Sequence, residues 1–189
     1  HHSKGAFFIF IVLGILSLIA AYFYTAGKKS YGYIGLGDLF VFLFFGLLPV
    51  PGVFYLNAGF LPTSVFLPAL TIGFFSTGVL NLNNTRDIEN DRNSGKITIP
   101  VRMGARNSRI YHAFLVTGGW VIALIYTTMH FQSYWQLIYL VTLPLFVVDL
   151  VNVFRIQNDK ELDPFLKKLA LSTLAFTLLF CIGLLISVK

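Results

Sequence analysis

Six long apolar runs separated by short polar segments set the plan of the chain: residues 6–25, 39–58, 61–83, 110–128, 134–154 and 169–188. Each is close to the ~20 mostly apolar residues that cross a bilayer as a helix. Asp149 is the one charged residue within them. The first run is longer than the ~7–15 residues of a signal-peptide core and lacks a clear small-residue cleavage site, so it reads as a span. Pro49 and Pro51 interrupt the second run and Pro68 the third. Such breaks are tolerated in lipid where neighbouring helices satisfy the freed backbone groups, which implies a bundle. The expected fold is therefore an all-α, multi-pass transmembrane helical bundle, a single membrane domain over residues 1–189.

The basic residues orient this bundle. Lys28 and Lys29 lie in segment 26–38. Arg86, Arg92, Lys96, Arg102, Arg106 and Arg109 lie in 84–109, and Arg155, Lys160, Lys167 and Lys168 in 155–168. The connections at 59–60 and 129–133 carry none. Positive charge thus follows spans one, three and five, which makes those loops cytoplasmic and turns both chain ends outward.

Composition agrees with the pattern. Charged residues are 12% of the chain and hydrophobic ones 56%, against about 25% charged in soluble domains. The net charge of +6 would suit nucleic acid if it formed one patch, but it is spread over the loops of a membrane bundle. The partners expected are membrane lipids and no nucleic acid. A lone Cys181 excludes an intrachain disulfide. The four histidines do not cluster as a metal set, and His1 and His2 read as a tag remnant or cut edge.

The informative segment runs from Asn83 to Lys96 and prolongs the third span. If the helix persists, Asn84, Asp87 and Asp91 share one face and Arg92 and Lys96 form a second stripe, with Glu89 on another face. Charged helix surfaces are common, but they favour opposite signs at i, i+4. Here Asp87 faces Asp91, and Arg92 faces Lys96, at a cost of ~0.2–0.5 kcal/mol per pair. Something outside the helix should compensate. Mg²⁺ is held by one or two carboxylates together with phosphate oxygens, and Arg and Lys bind phosphate. The segment therefore offers both halves of a Mg²⁺–diphosphate site.

The run N-x-x-D-x-x-x-D-x-x-x-G-K-x-T-x-x-V-R-x-G, Asn84 to Gly104, resembles the second aspartate-rich motif of UbiA-type intramembrane prenyltransferases. It is most similar to the branch that prenylates 1,4-dihydroxy-2-naphthoate in menaquinone synthesis. Tyr24 to Gly27, Tyr31 to Asp38, Ala105 to His112, and more loosely Asp163-Pro164 with Lys167-Lys168, are similar to that branch too. The resemblance implies a bundle of about nine spans with two aspartate-rich motifs, of which this chain matches the later six spans and the second motif. It is thus expected to hold half of the metal site and to be inactive alone.

The resemblance also implies roles. Asp87 and Asp91 would hold Mg²⁺ on a polyprenyl diphosphate, with Asn84 assisting and basic side chains, Arg92 and Lys96 among them, on the diphosphate. The allylic C–O bond would ionise, the naphthoate carbon would attack and CO₂ would leave. Arg102 either binds substrate or positions its loop. Lys28, Lys29 and Tyr24 either reach the diphosphate or acceptor carboxylate or, for the lysines, simply snorkel. The implied location is the bacterial cytoplasmic (inner) membrane, with the active site on the cytoplasmic side. Asp149 is an intramembrane acid for which pairing with Arg155 is an alternative. His112 and His130 read as interfacial residues without chemistry, and Asp159, Glu161 and Asp163 as solvated. A transporter or channel is one competing function, though charged residues at mid-depth and an internal inverted repeat are missing; a non-catalytic membrane scaffold is the other, and it leaves the like-charge stripes unexplained.

Overall fold

The structure, a computed structural model, describes residues 4–25 and 30–187; Lys28 and Lys29 lie outside them. All regular structure among the described residues is helical. Helix α1 spans Lys4–Thr25, α2 Gly37–Val41, α3 Pro49–Ala58 and α4 Phe66–Arg86. Then come α5 (Ile88–Asn93), α6 (Ile99–Met129), α7 (Leu143–Arg155) and α8 (Asp163–Ser187). Among the described residues six helical stretches are long and apolar enough to cross a membrane, one for each apolar run. The helices outrun the apolar stretches at the charged ends. α6 begins at Ile99, with a break at Gly104, and α8 begins at Asp163, because a helix does not stop where its side chains become polar.

The prolines act at helix starts rather than as interior breaks. Residues Phe42–Leu47 form a π-helix, and the Leu48 N–H reaches back five residues to the Leu43 carbonyl at 2.8 Å. Pro49 then opens α3 and Pro51 lies in the same first turn, where a missing N–H costs no intrahelical bond. Pro68 likewise falls in the first turn of α4, after a 3₁₀ turn at Thr63–Val65. The expected interruption of the third span is absent for that reason.

Helices α4, α6, α7 and α8, with the 3₁₀ segment Tyr134–Thr142, enclose the core. Phe75, Trp120, Tyr139, Phe146 and Phe176 meet there with ring centroids mostly 5–6 Å apart. Against α4, the π-helix comes close enough that a Cβ on Gly46 would stand 2.5 Å from the Ala69 carbonyl and 2.6 Å from Gly73 Cα. Small residues let helices approach in this way in lipid, where packing replaces the hydrophobic drive.

A buried polar seam ties α4 to α6. Asn81 Nδ2 donates to the Ser108 carbonyl at 3.1 Å, and Ser108 Oγ donates to Asn81 Oδ1 at 3.1 Å. Thr85 bonds the same Ser108 hydroxyl. One helical turn further along α6, His112 is fully buried and its Nε2 bonds Asp149 Oδ2 at 3.0 Å. This corrects two expectations. His112 is interior, not interfacial, and Asp149 turns to it rather than to Arg155, because each removes the other's cost of being buried unpaired.

The basic loops are stitched together at one end. The Ile97 N–H donates to the Tyr33 carbonyl at 2.8 Å. Arg102 Nη2 donates to the Ile34 carbonyl at 2.7 Å. Arg109 donates to the Val153 and Ile156 carbonyls at 2.9 and 3.0 Å and to Asp159 at 2.6 Å. Arg86 pairs with Asp163. Asp159 and Asp163 are therefore structural partners of arginines, not merely solvated charges.

The close crossing at Gly46 yields a stability prediction. Gly46→Val should force α4 away and destabilise the bundle by ~1–3 kcal/mol, the usual cost of overpacking. Gly14→Val, where a Cβ meets nothing within 4 Å, should be neutral. Thermal unfolding in detergent compares them; equal midpoints would show that the crossing is not tightly packed.

Candidate functional site

Segment 83–96 is built from two helices rather than one. α4 ends at Arg86, and Asp87 leaves helical geometry with φ −101° and ψ 12°. The hydrogen-bond ladder nonetheless continues, from Asp87 N–H to the Asn83 carbonyl at 3.2 Å and from Asp91 N–H to the Asp87 carbonyl at 2.8 Å. Asn84, Asp87 and Asp91 thus keep roughly their helical spacing. Asn84 and Asp91 are buried, and Asp87 is half-buried.

The end of α5 explains the Gly-Lys pair of the motif. Gly95 has φ +74°, a conformation that glycine adopts without a Cβ penalty. Its N–H bonds the Arg92 carbonyl at 3.2 Å, and the Lys96 N–H bonds the Asp91 carbonyl at 2.8 Å. This is a Schellman cap. It folds the chain back so that Lys96 Nζ lies 3.1 Å from both Asp91 oxygens. The expected stripe of Arg92 and Lys96 does not form, because the helix ends between them. Lys96 neutralises Asp91, and Arg92 stays exposed on α5.

Asp87 is neutralised by its neighbour. Arg86 Nε donates to Oδ1 at 2.9 Å and Nη2 to Oδ2 at 2.7 Å. Nη2 also donates to Asn83 Oδ1 at 2.9 Å, and Nη1 donates to Asp163. The compensation demanded by the like charges is therefore supplied within the chain, one cation to each carboxylate. After the cap, Thr98 caps α6 by accepting from the Val101 N–H at 3.4 Å. At Gly104 the backbone leaves helical geometry (φ 79°, ψ 162°). Arg102 lies just before that break, and its Nη2 donates to the Ile34 carbonyl.

Two hollows meet at Asp163. A polar pocket of about 380 Å³ is lined by Arg86, Asp87, Glu89, Asn90, Asp159 and Asp163 among others. Glu89, expected on a different face, borders this same pocket beside Asp87. An apolar groove of about 680 Å³ runs between α4, α8 and the helix pair α2 and π-segment. Asn83, Asp163 and Lys167 stand at its polar end, and Val41, Phe45, Leu80 and Ala170 line its wall. Tyr24 lies elsewhere, in a groove of about 450 Å³ with Ala20, Tyr31, Phe40 and Phe44, on the α1 side of α2. Its neighbour Tyr31 has its phenol pushed above the ordinary value, chiefly by burial and secondarily by Tyr24, and donates to the Ala20 carbonyl.

The donor set suits a hard divalent cation. Carboxylate and amide oxygens are what Mg²⁺ takes, and the buried Asn84 Oδ1 has no hydrogen-bond partner. Among the described residues no group of three or more His, Cys, Asp or Glu comes together, so a cation here needs oxygens from another source, as phosphate would supply. Sequence reading missed Arg86, Asn83 and Asp163 as site residues. It passed over Asp38 as well, which is 4% exposed with both oxygens short of a well-placed donor; the phenol of Tyr111 is the group that approaches it. An acid at the polar edge of an apolar span, and an arginine directly before an acid, were the available signals.

The sequence profile described as the UbiA prenyltransferase family matches residues 6–179. The chain is 41% identical over 186 residues to the 1,4-dihydroxy-2-naphthoate octaprenyltransferase of Escherichia coli (strain K12), covering 98% of this chain and 60% of that protein. The protein of that name from Mycobacterium tuberculosis is 35% identical over 169 residues, 89% of this chain and 56% of its own length. The UbiA prenyltransferase domain-containing protein 1 of Dictyostelium discoideum is 29% identical over 180 residues, covering 94% and 52% respectively. The chain thus spans at most about 60% of the length of these relatives. No solved structure matches it. With six helices among the described residues long and apolar enough to cross a membrane and a profile match over nearly its whole length, the chain belongs to the UbiA prenyltransferase family.

Proposed function

We propose that this chain forms part of an enzyme that transfers a polyprenyl group from polyprenyl diphosphate to 1,4-dihydroxy-2-naphthoate, with loss of CO₂, in menaquinone biosynthesis. The observation that carries the proposal is the junction at Asp163. There a polar pocket bordered by Asp87 opens beside an apolar groove between membrane helices. A polyprenyl diphosphate is an amphiphile of that form, a charged head on a long apolar tail. The relatives' names supply the acceptor.

The chain's residues divide the work. Asp87 and Asp91 would hold Mg²⁺, with the unpartnered Asn84 Oδ1 as an additional oxygen. Bound Mg²⁺ offsets the negative charge that grows on the diphosphate as the allylic C–O bond ionises. Arg86 and Lys96, released from their carboxylates, add donors to the leaving oxygens, and preorganised charge of this kind acts strongly where water is excluded. Arg92 is exposed on the same short helix and faces incoming diphosphate as a more distant charge. Val41, Phe45, Leu80 and Ala170 shield the tail from water. Arg102 holds the loop between α5 and α6 on the Ile34 carbonyl.

The stitched, basic loop end is placed on the cytoplasmic side of the bacterial inner membrane, because clustered Lys and Arg resist translocation. Cysteine introduced at exposed Ser94 should resist a membrane-impermeant thiol reagent added from outside, and cysteine at Phe60 should react. Efficient labelling at position 94 would invert the orientation.

The carboxylates give the test of function. In the full-length enzyme Asp87→Asn and Asp91→Asn should each lower kcat about a hundredfold or more, with the folded bundle intact by thermal unfolding. Glu161→Gln, on an exposed residue outside both hollows, should leave turnover unchanged. Prenyl transfer measured across Mg²⁺ concentrations decides, and near wild-type rates for both Asn variants would remove these acids from the metal site.

A further inference from the structure

Arg86 joins two acids that lie 76 positions apart in sequence (163 − 87), Asp87 at the end of α4 and Asp163 in the first turn of α8. Its fork takes up both Asp87 oxygens, and its remaining Nη1 goes to Asp163. Lys96 differs: its hydrogen bonds go to Asp91 alone. We propose that Arg86 and Asp163 form an electrostatic latch that sets how readily Asp87 accepts a divalent cation. In this latch Arg86 is the counter-ion that the cation displaces, and Asp163 is the anchor that retains Arg86 afterwards. The inference rests on the reading of Asp87 as a metal ligand.

The geometry gives the latch its direction. A cation bound by Asp87 needs at least one oxygen that the guanidinium now occupies bidentately. Two positive charges cannot share that carboxylate closely, so loading requires Arg86 to leave. The Asp87 side chain is 29% and the Arg86 side chain 24% exposed, so the exchange takes place at the edge of the pocket, where water screens the transition. Arg86 does not swing free. Nη1 stays on Asp163 and Nη2 keeps its bond to Asn83 Oδ1, so Nε and the freed Nη2 hydrogen face the polar pocket that both acids border. A planar fork in that position is suited to phosphate oxygens. Asp163 is thus a positioning residue, acting through Arg86.

The two residues should then have opposite effects on the metal and the same effect on the diphosphate. Arg86→Gln removes the competitor, so a divalent cation alone should bind about tenfold more tightly, the scale of a bidentate charged pair at partial exposure. Asp163→Asn removes the anchor and leaves Arg86 wholly on Asp87. Cation affinity should fall about two- to fivefold, because the Asp163 side chain is 68% exposed and such pairs are weak. In both variants KM for polyprenyl diphosphate should rise, since the guanidinium is lost or misplaced.

The measurement is a Mn²⁺ titration of the purified full-length enzyme without prenyl diphosphate, reading free Mn²⁺ by its electron paramagnetic resonance signal, beside kcat and KM at saturating metal. Asp87→Asn is the reference. Arg86→Lys keeps the charge but can hold one carboxylate at a time, so Asp163→Asn should add nothing in that background, a non-additivity that a double-mutant cycle detects. This cycle also serves if Arg86→Gln fails to fold. Opposite shifts for Arg86→Gln and Asp163→Asn, or the expected cycle, support the latch. Shifts of the same sign, or none, overturn it while Asp87→Asn still weakens Mn²⁺ binding. If Asp87→Asn leaves Mn²⁺ binding unchanged, the metal-site reading itself fails.

Discussion

A polar group inside a membrane bundle has no water to turn to, and this constraint shapes the contact between α4 and α6. Asn81, Thr85 and Ser108 satisfy one another across it, and His112 carries the polar line on to Asp149 in α7. Sliding α4 by one residue would break the bonds of Asn81 and Thr85 to Ser108, and a polar group left unpaired in lipid costs more than a bond formed in water gains. The seam therefore fixes the rotation of α4. One face meets α6, the neighbouring face meets the π-helix through Gly46 and Gly73, and the face with Ser76, Val79, Leu80 and Asn83 is left to line the apolar groove. Asn83 and Asn84 lie in the last turn of the same helix and Asp87 directly follows it, so the position of Asp87 at the polar pocket follows from the seam that fixes α4.

At that end of α4 the electrostatic problem is solved locally. Asp87 and Asp91 would repel, but Arg86 and Lys96 each hold one of them. Ligand binding in such a site is an exchange of partners rather than the filling of an empty charge. The carboxylates pass from side-chain cations to a metal, and the cations pass from carboxylates to phosphate. Each exchange keeps charge paired throughout, which matters where the dielectric is low. Residual demand remains in Asn84 Oδ1 and in the Asp38 carboxylate, buried acceptors without well-placed donors. Both lie near the end of the bundle where the loops are stitched together, as expected where structure yields to function.

Much of this was legible in the sequence. The six spans are, because transfer of apolar side chains into lipid depends on composition alone, residue by residue. The alternation of basic loops, the aspartate spacing and the family resemblance were equally visible, since they need only local order. Even the turn that returns Lys96 is written in the sequence, in a glycine placed where a left-handed residue closes α5.

Other features needed the fold, because they depend on which surfaces meet. Nothing near Asp149 in sequence points to His112, 37 residues away across two helices, nor does anything near Arg86 point to Asp163. The helical wheel put Glu89 on another face, yet the fold closes a pocket that Asp87 and Glu89 both border. The prolines looked like breaks until the π-helix and the helix starts showed where they act. Short-range chemistry and hydrophobicity are properties of the chain read in order, and they determined the spans, the motif and the family. Partnership between distant polar groups is settled by the packing of helices that exclude water together, and that is a property of the tertiary structure alone.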